Sequence, residues 1–124
     1  MPQAAPDTRV KRIYDPPGRK DGARVLVDRL WPRGARREET KLTLWLKDIA
    51  PSAELRRWFG HDPARFAEFS RRYRAELSAN MDVVSRMEDL LKAGSVTLLY
   101  AAHDTEHNHA RVLSDYLKAR AMSA

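Results

Sequence analysis

Two short runs of consecutive apolar residues constrain the fold of this chain more than any other feature. One is Val25-Leu26-Val27, within the segment Arg24–Leu30, and the other covers Val96–Ala102. Both runs are short and lack alternation between apolar and polar residues, which is typical of strands that are buried on both faces. A long stretch with helical periodicity separates them, so we expect two parallel, neighbouring strands joined by a right-handed crossover.

Helical signals in the rest of the chain predict about four helices. At the start of each predicted helix stands a capping residue, in one case followed by proline, and apolar residues at spacings of three and four follow it. Gly94 is expected to end the third of these helices. Starts are predicted at Pro51-Ser52, Asp62-Pro63 and Asn80, and a last helix is predicted from a cap at Asp104 or Thr105 to about Arg120.

Two segments leave alternatives open. Val10–Tyr14 is a further predicted strand, and its short loop to the next strand would allow the two to pair antiparallel. Residues 42–49 fit either a helix or an extended arm. The predicted fold is a single α/β domain with a small three-stranded, at least partly parallel sheet flanked by about four helices. We expect residues 1–9 to form a flexible lead-in, residues 10–120 the domain and residues 121–124 a tail.

Length and composition restrict the class of protein. A chain of 124 residues fits one domain, and the absence of cysteine excludes disulfides, cysteine-based zinc sites and a thiol nucleophile. The first eight residues contain no apolar signal segment, and the longest apolar run is far shorter than the roughly 20 residues of a membrane span. We therefore expect a cytoplasmic protein without a membrane partner.

The net charge of +6 lies entirely in the first third of the chain. Residues 1–37 contain ten basic and four acidic residues, whereas residues 38–124 contain thirteen of each. Such a field attracts anions, so a small anionic ligand and a nucleic acid are both candidate partners, and a solvated basic surface is an equally good explanation. The sequence contains no recognisable helix-turn-helix, zinc finger or aromatic RNA-binding motif.

The carboxyl ends of the two buried strands carry the residues best suited to a site, because ligands of open α/β sheets bind at this edge. We expect Arg29 and Arg33 to bind an anion, Asp28 to orient their guanidinium groups and Trp31 to wall the pocket. The alternative is structural: an ion pair of Asp28 with Arg29, and simple packing of Trp31.

Three histidines and two carboxylates lie between His103 and His109, a composition that suggests a metal. The spacing argues against one, since His107 and His109 do not share a helical face and no HExxH pattern occurs. We predict no metal site, and no cofactor is evident. His109 is a candidate general acid or base, with Asn108 or Asp104 as its partner. A packed structural histidine explains the same residue equally well.

The ten residues Val25–Gly34 resemble the signature of the YeaO-like proteins, a bacterial family of unknown function numbered four-eight-eight. The likeness continues in order through Trp45-Leu46-Lys47, Ile49–Ser52, Leu55-Arg56 and Trp58-Phe59, and covers about Val10 to Leu117. It implies a small α/β fold in a bacterial, cytoplasmic setting and supplies no established reaction.

The family pattern also bears on the candidate site. More distant members carry Cys-His-Arg where this chain has Asn108-His109-Ala110, so a thiol mechanism cannot be transferred to it. The resemblance adds Lys47 and Tyr73 to the candidate ligand-binding residues. Positions that coincide with the pattern are Asp28, Arg29, Trp31, Arg33, Trp45, Lys47, Ser52, Tyr73, Asp104, Asn108 and His109.

The leading functional hypothesis is a site for a small anion, a phosphate or a carboxylate, with or without catalysis. One alternative is a nucleic-acid-binding module that uses the basic first third. Another is a non-catalytic protein-interaction domain, which predicts an exposed apolar patch around Leu42, Leu44 and Trp45. The sequence leaves the reaction, the ligand and the oligomeric state open.

Overall fold

The computed structural model describes residues 8–123, which form a parallel sheet with helices packed on one face. Four strands occur in this part of the chain, in the spatial order β1-β4-β2-β3: β1 Thr8–Arg12, β2 Ala23–Leu26, β3 Leu44–Trp45 and β4 Val96–Tyr100. The helices are α1 Arg37–Thr40, α2 Ala53–Phe59, α3 Phe66–Ser78, α4 Met81–Ala93 and α5 His109–Ser123, and short 3-10 turns cover Lys47–Ile49 and Pro63–Arg65.

The prediction that the two apolar runs form parallel neighbours is confirmed. In the centre of the sheet, Val25 of β2 and Val10 of β1 both lie opposite Leu98 of β4. The number of strands was wrong by one, because the ambiguous segment 42–49 contains a two-residue strand, β3, that pairs with β2. Two residues are too few to show an alternation in the sequence.

The suggested antiparallel pairing of the first strand with the second is wrong. β1 is parallel to β4 and does not contact β2 in the sheet. The connection over residues 13–22 contains no helix, yet ten residues reach up to roughly 33 Å when extended. That reach is sufficient because the strands are short and β1 and β2 are separated only by β4.

Both buried strands end before the residues expected from the sequence, and side chains explain the end of β4. The strand predicted to reach Leu30 stops at Leu26, and the one predicted to reach Ala102 stops at Tyr100. The backbone N–H of Ala101 donates to a carboxylate oxygen of Asp28 instead of to a neighbouring strand. The carbonyl groups of Ala101 and Ala102 accept from the guanidinium of Arg12.

Two predicted caps are confirmed and two are not. Ser52 caps α2, and Asp62 caps the turn that leads into α3. The side chain of Asn80 does not cap α4, because it donates to the carbonyl of Asp48. The last helix begins at His109 rather than near Thr105, with Asn108 accepting from the backbone of Arg111.

The ends of the domain also differ from the expected boundaries. β1 begins at Thr8, inside the segment expected to be a lead-in, and α5 continues to Ser123, inside the expected tail. Residues 1–7 and residue 124 lie outside the described part of the chain.

The core lies almost entirely between the sheet and helices α2 to α5. Apolar side chains of every strand meet Phe69, Tyr73, Val84, Met87 and Leu113 there. The other face of the sheet is covered by residues 31–43, which include the short helix α1, and carries a small cluster of Ile13, Leu26 and Leu99 under Trp31 and Trp45. This asymmetry leaves the carboxyl edge of the sheet open between the helices and the strand ends.

Candidate functional site

A cleft of about 730 Å³ lies at the carboxyl ends of β2 and β4. Its volume falls in the range typical of small-molecule sites. The segment after β2, helices α2 and α3, the loop between β4 and α5, and the start of α5 form its walls. The charged, polar and imidazole side chains that line it are Asp28, Arg29, Arg56, His61, His103, Asp104, His107, Asn108 and His109.

All four histidines of the chain line this one cleft. His103 and His61 are exposed at its mouth, and His61 has a left-handed backbone with φ of 56°. His107 packs edge-on against the ring of Phe66, with ring centroids 5.2 Å apart. His109 is the most enclosed of them, and its ring meets that of the buried Tyr73.

Asp28 and His109 form the floor of the cleft. The Nε2 atom of His109 lies 3.1 Å from the carbonyl oxygen of Val27 and 3.1 Å from Oδ1 of Asp28. A carbonyl oxygen only accepts hydrogen bonds. Nε2 therefore carries a hydrogen atom and donates a hydrogen bond to the carbonyl oxygen of Val27. Oδ1 of Asp28 is buried and makes no hydrogen bond of good geometry, although it lies within ion-pair distance of the imidazole.

The carboxylate of Asp28 does not orient an arginine, which corrects both sequence interpretations of this residue. Its Oδ2 accepts from the backbone of Ala101 at 3.1 Å, and no ion pair with Arg29 forms. Its carbonyl oxygen accepts from the indole of Trp45 at 2.8 Å. Asp28 therefore ties the ends of β2 and β4 together beneath His109.

Two guanidinium groups lie in the cleft without a carboxylate partner. Within residues 8–123, Arg29 donates only to the carbonyl of Ala50, at 3.3 Å, and neither it nor Arg56 forms an ion pair. The Nε atoms of both side chains are buried without an acceptor. An unsatisfied buried donor costs about 1–3 kcal/mol, so the fold holds these two cations here at a loss of stability.

Asp104 organises the loop between β4 and α5. Its carboxylate accepts from the backbone N–H groups of Glu106 and His107, and it lies 2.9 Å from Nδ1 of His107. The backbone hydrogen bonds from His107 and Glu106 are the main reason that the pKa of Asp104 is lowered. Asp104 is therefore an ionised turn-former, and not a proton donor near neutral pH.

Asn108 is also engaged by the backbone. The residue is buried, its Oδ1 atom caps α5, and its Nδ2 atom donates to the carbonyl of Asp104 at 2.9 Å. Asp104, Asn108 and His109 thus reach the cleft together, as the sequence predicted. Each of them is at the same time fixed by hydrogen bonds that shape the loop or the sheet edge.

Several predicted ligand-binding residues lie elsewhere. Arg33 is exposed and does not line the cleft, and its carbonyl accepts from the hydroxyl of Tyr14. Trp31 donates to the carbonyl of Ala35 and packs edge-on against Trp45, on the other side of the sheet. The simple packing of Trp31 that the sequence allowed is therefore what the structure has.

Lys47 and Tyr73 also have structural contacts. The ammonium of Lys47 lies 5.5 Å from the centre of the Trp45 ring, away from the cleft. Tyr73 is fully buried and its hydroxyl donates to the carbonyl of Ile49 at 2.6 Å. Burial raises the pKa of Tyr73 well above its ordinary value, so the phenol stays protonated.

Sequence reasoning missed Arg56 as a site residue. Arg56 lies on α2, far along the chain from Arg29, and the sequence contains Arg56 and Arg57 as an unremarkable pair. Two signals were available: Arg56 falls within the family likeness as Leu55-Arg56, and by helical phase it follows the buried Leu55 and precedes the buried Phe59 by three positions, whereas Arg57 is exposed.

The features expected of the two alternative functions are weaker than predicted. Leu42, Leu44 and Trp45 are half-buried and pack against the two apolar clusters, so they form no exposed patch. In the basic first third, Lys11 and Arg24 pair with the buried Asp21, and Arg29 lines the cleft.

Within residues 8–123, no group of three or more histidine, cysteine, aspartate or glutamate side chains has an arrangement that would hold a metal ion. No helix in the described part of the chain has the length and apolar character needed to cross a membrane.

Comparisons with known proteins agree on one family. The family model described as the inactive DUF488-N3 subclade matches residues 7–123. The uncharacterized protein YeaO of Escherichia coli (strain K12) is 45% identical over 109 residues, which cover 88% of this chain and 95% of that protein. The uncharacterized protein Rv3073c of Mycobacterium tuberculosis (strain H37Rv) is 41% identical over 112 residues, which cover 90% and 94%. No solved structure matches this chain.

Proposed function

Because this chain belongs to the YeaO-like DUF488 family and matches a subclade described as inactive, we propose that it binds a small anionic ligand without catalysing a reaction on it. The proposed site is the cleft at the carboxyl ends of β2 and β4. Its ligand places an anionic group against Arg29 and Arg56 and its remaining atoms against the apolar walls.

One observation carries this proposal: two arginines line the cleft, and neither forms an ion pair within the described residues, although the Nε atom of each is buried without an acceptor. Elsewhere in the described chain, arginines that are not exposed have a carboxylate partner, as Arg24 and Arg120 do, or two carbonyl acceptors, as Arg12 does. Arginine forks bind carboxylate and phosphate groups bidentately, and the bond is stronger where water is excluded.

The contacts of the candidate catalytic groups support a non-catalytic role. Nε2 of His109 donates to a backbone carbonyl and faces Asp28, so this nitrogen is not free to accept a proton from a ligand. Asp104 and Asn108 are committed to the turn and the cap that begin α5. The family description as inactive supports the same conclusion.

The test is a thermal-shift screen of the full chain against phosphate, sulfate, small carboxylates and phosphorylated metabolites, at low and moderate salt. The wild type is compared with Arg56→Gln and with Arg57→Gln, an adjacent arginine on the same helix that does not line the cleft. We expect at least one anion to stabilise the wild type and Arg57→Gln, and to lose its effect on Arg56→Gln.

Two results would contradict the proposal. If no anion stabilises the wild type, the cleft has no anion affinity. If Arg56→Gln and Arg57→Gln respond equally, any stabilisation comes from the general positive charge of the protein and not from the cleft. Turnover of a bound ligand by the wild type, lost in His109→Gln, would overturn the non-catalytic part alone.

A further inference from the structure

The charges that line the cleft nearly cancel when its histidines are neutral. Arg29 and Arg56 contribute two positive charges, and Asp28 and Asp104 contribute two negative charges. The two carboxylates are therefore the reason that an otherwise cationic cleft would not attract an anion at high pH.

Each of these carboxylates lies against a histidine. Nε2 of His109 is 3.1 Å from Oδ1 of Asp28, and Nδ1 of His107 is 2.9 Å from Oδ2 of Asp104. When both imidazoles are protonated, each carboxylate is balanced by its own histidine. The two guanidinium groups are then left with two uncompensated positive charges, which matches a dianion.

The placement of the two arginines also selects the shape of the anion. Arg29 follows β2 and Arg56 lies on α2, so the two side chains line the cleft from two different elements. A single carboxylate offers two oxygens, enough for one guanidinium fork. A tetrahedral oxyanion offers further oxygens to a second fork, as in phosphate recognition by arginine pairs.

We infer that the cleft takes a dianionic tetrahedral oxyanion, a phosphate-ester or sulfate-type group, and that its histidines take up protons as this anion enters. This inference rests on the proposed function and gives its ligand class and its coupling to pH. By linkage, a ligand whose binding takes up protons binds more tightly as the pH falls.

Other charged and titratable groups also lie around the cleft. Tyr73 of α3 stays a neutral phenol, and the exposed His61 and His103 have no carboxylate within ion-pair distance in the described residues, so they add positive charge on protonation. Arg29 also lines two neighbouring cavities, which hold the carboxylates Asp48, Asp82 and Glu76 and the guanidinium of Arg86. Within residues 8–123 none of these carboxylates forms an ion pair with Arg29, and Glu76 accepts hydrogen bonds from Ser52.

The experiment measures sulfate binding to the full chain by isothermal titration calorimetry at pH 6 and pH 8, at constant ionic strength. Sulfate is the probe because its charge does not change over this range. Each titration is repeated in two buffers of different ionisation enthalpy, which counts the protons taken up. Acetate, a single negative charge with two oxygens, is the comparison anion, and Arg57→Gln is the control variant.

We expect sulfate to bind at least roughly tenfold more tightly at pH 6 than at pH 8, with uptake of about one to two protons per sulfate. Acetate is expected to bind more weakly than sulfate at pH 6. His107→Gln should reduce both the proton uptake and the pH dependence, while Arg57→Gln should change neither.

The failures of the two proposals are distinguishable. Sulfate that binds equally at both pH values without proton uptake, or acetate that binds as tightly as sulfate, overturns this inference and leaves the anion cleft in place. Sulfate that does not bind at either pH, together with a thermal-shift screen in which no anion acts, overturns the proposed function as well.

Discussion

Asp28 is the residue on which the geometry of the cleft depends most. Its backbone carbonyl accepts from Trp45, one carboxylate oxygen accepts from Ala101, and the other faces His109. One side chain thus joins the ends of β2 and β4 to the first residue of α5. These contacts explain why a residue that was expected to orient arginines has a mainly architectural position.

Replacing Asp28 tests this role. Asp28→Ala leaves the backbone N–H of Ala101 without its acceptor, and we expect the free energy of unfolding to fall by about 1–3 kcal/mol. Asp28→Asn keeps an oxygen that accepts from Ala101, so its loss should be smaller. Urea denaturation of both variants measures the difference. Equal losses would show that the Ala101 hydrogen bond does not stabilise the fold.

Among the elements, β2 and β4 begin at a close contact that only glycine permits. Gly22 has φ of +64°, and a Cβ atom at this position would lie 2.2 Å from the carbonyl oxygen of Ser95. The next residue, Ala23, donates to that same carbonyl at 2.9 Å. The carbonyl cannot move away without breaking the first hydrogen bond between the two central strands.

Gly34 provides a matched comparison, since it has φ of +79° but open space where a Cβ atom would lie. We expect Gly34→Ala to cost only the left-handed backbone penalty, roughly 1–2 kcal/mol. Gly22→Ala adds the clash with Ser95 and should lower the free energy of unfolding by roughly 3 kcal/mol or more. Thermal unfolding of the two variants measures this, and equal costs would rule out the clash.

The sequence predicted the elements that have a strong local signal. The apolar runs around Val25 and Leu98 were sufficient to identify the central parallel pair, because few other structures bury consecutive apolar residues. The start of α5 was misplaced because Asp104 takes two backbone N–H groups into its own turn and so delays the helix to His109. When a side chain competes with the helix for backbone N–H groups in this way, the pattern of apolar residues in the sequence does not show it.

The candidate site was predicted in part for the same reason. Asp28 and Arg29 lie just after β2 and His109 lies on the element that follows β4, so a sheet-edge rule brings them together. Arg33 was placed with them because it is close in sequence, but the turn at Pro32 directs the chain away. Arg56 comes from a different element, and its position depends on how α2 packs, which local patterns do not encode.

On the scale of the whole molecule, charge is divided between the two ends of the sheet. The carboxyl edge holds the uncompensated arginines of the cleft, whereas a closed ionic cluster lies near the amino ends of the strands. There, Asp21 accepts from Gly18 and pairs with Lys11 and Arg24. The first cluster is suited to binding and the second to stability.

The acid stability of the protein follows from Asp21. Burial would raise the pKa of Asp21, but hydrogen bonds from Gly18, Lys11 and Arg24 outweigh it and lower the pKa to about 2. A lowered pKa stabilises the fold fully above about pH 4, and this stabilisation, about 2 kcal/mol, is lost as the pH falls towards 2.

Urea denaturation at a series of pH values checks this prediction. Hydrogen bonds from Arg71 and Arg72 lower the pKa of Glu68 to about 2, so Glu68 loses its charge over the same pH range as Asp21. The contribution of Asp21 is therefore measured as the difference in stability between wild type and Asp21→Asn. The variant should be less stable at neutral pH and lose less stability between pH 4 and pH 2. An unchanged slope in Asp21→Asn would assign the acid sensitivity to other carboxylates.

The central claim is that anions bind at the strand carboxyl edge, and nuclear magnetic resonance of the isotope-labelled full chain tests it most directly. The protein is titrated with sulfate at pH 6 and constant ionic strength, and the backbone and arginine Nε–H signals are followed. We expect saturable shifts at Arg29, Arg56 and the backbone of residues 101–109. Shifts confined to exposed basic residues of the first third, such as Arg19 and Arg36, with the cleft signals unmoved, would contradict it.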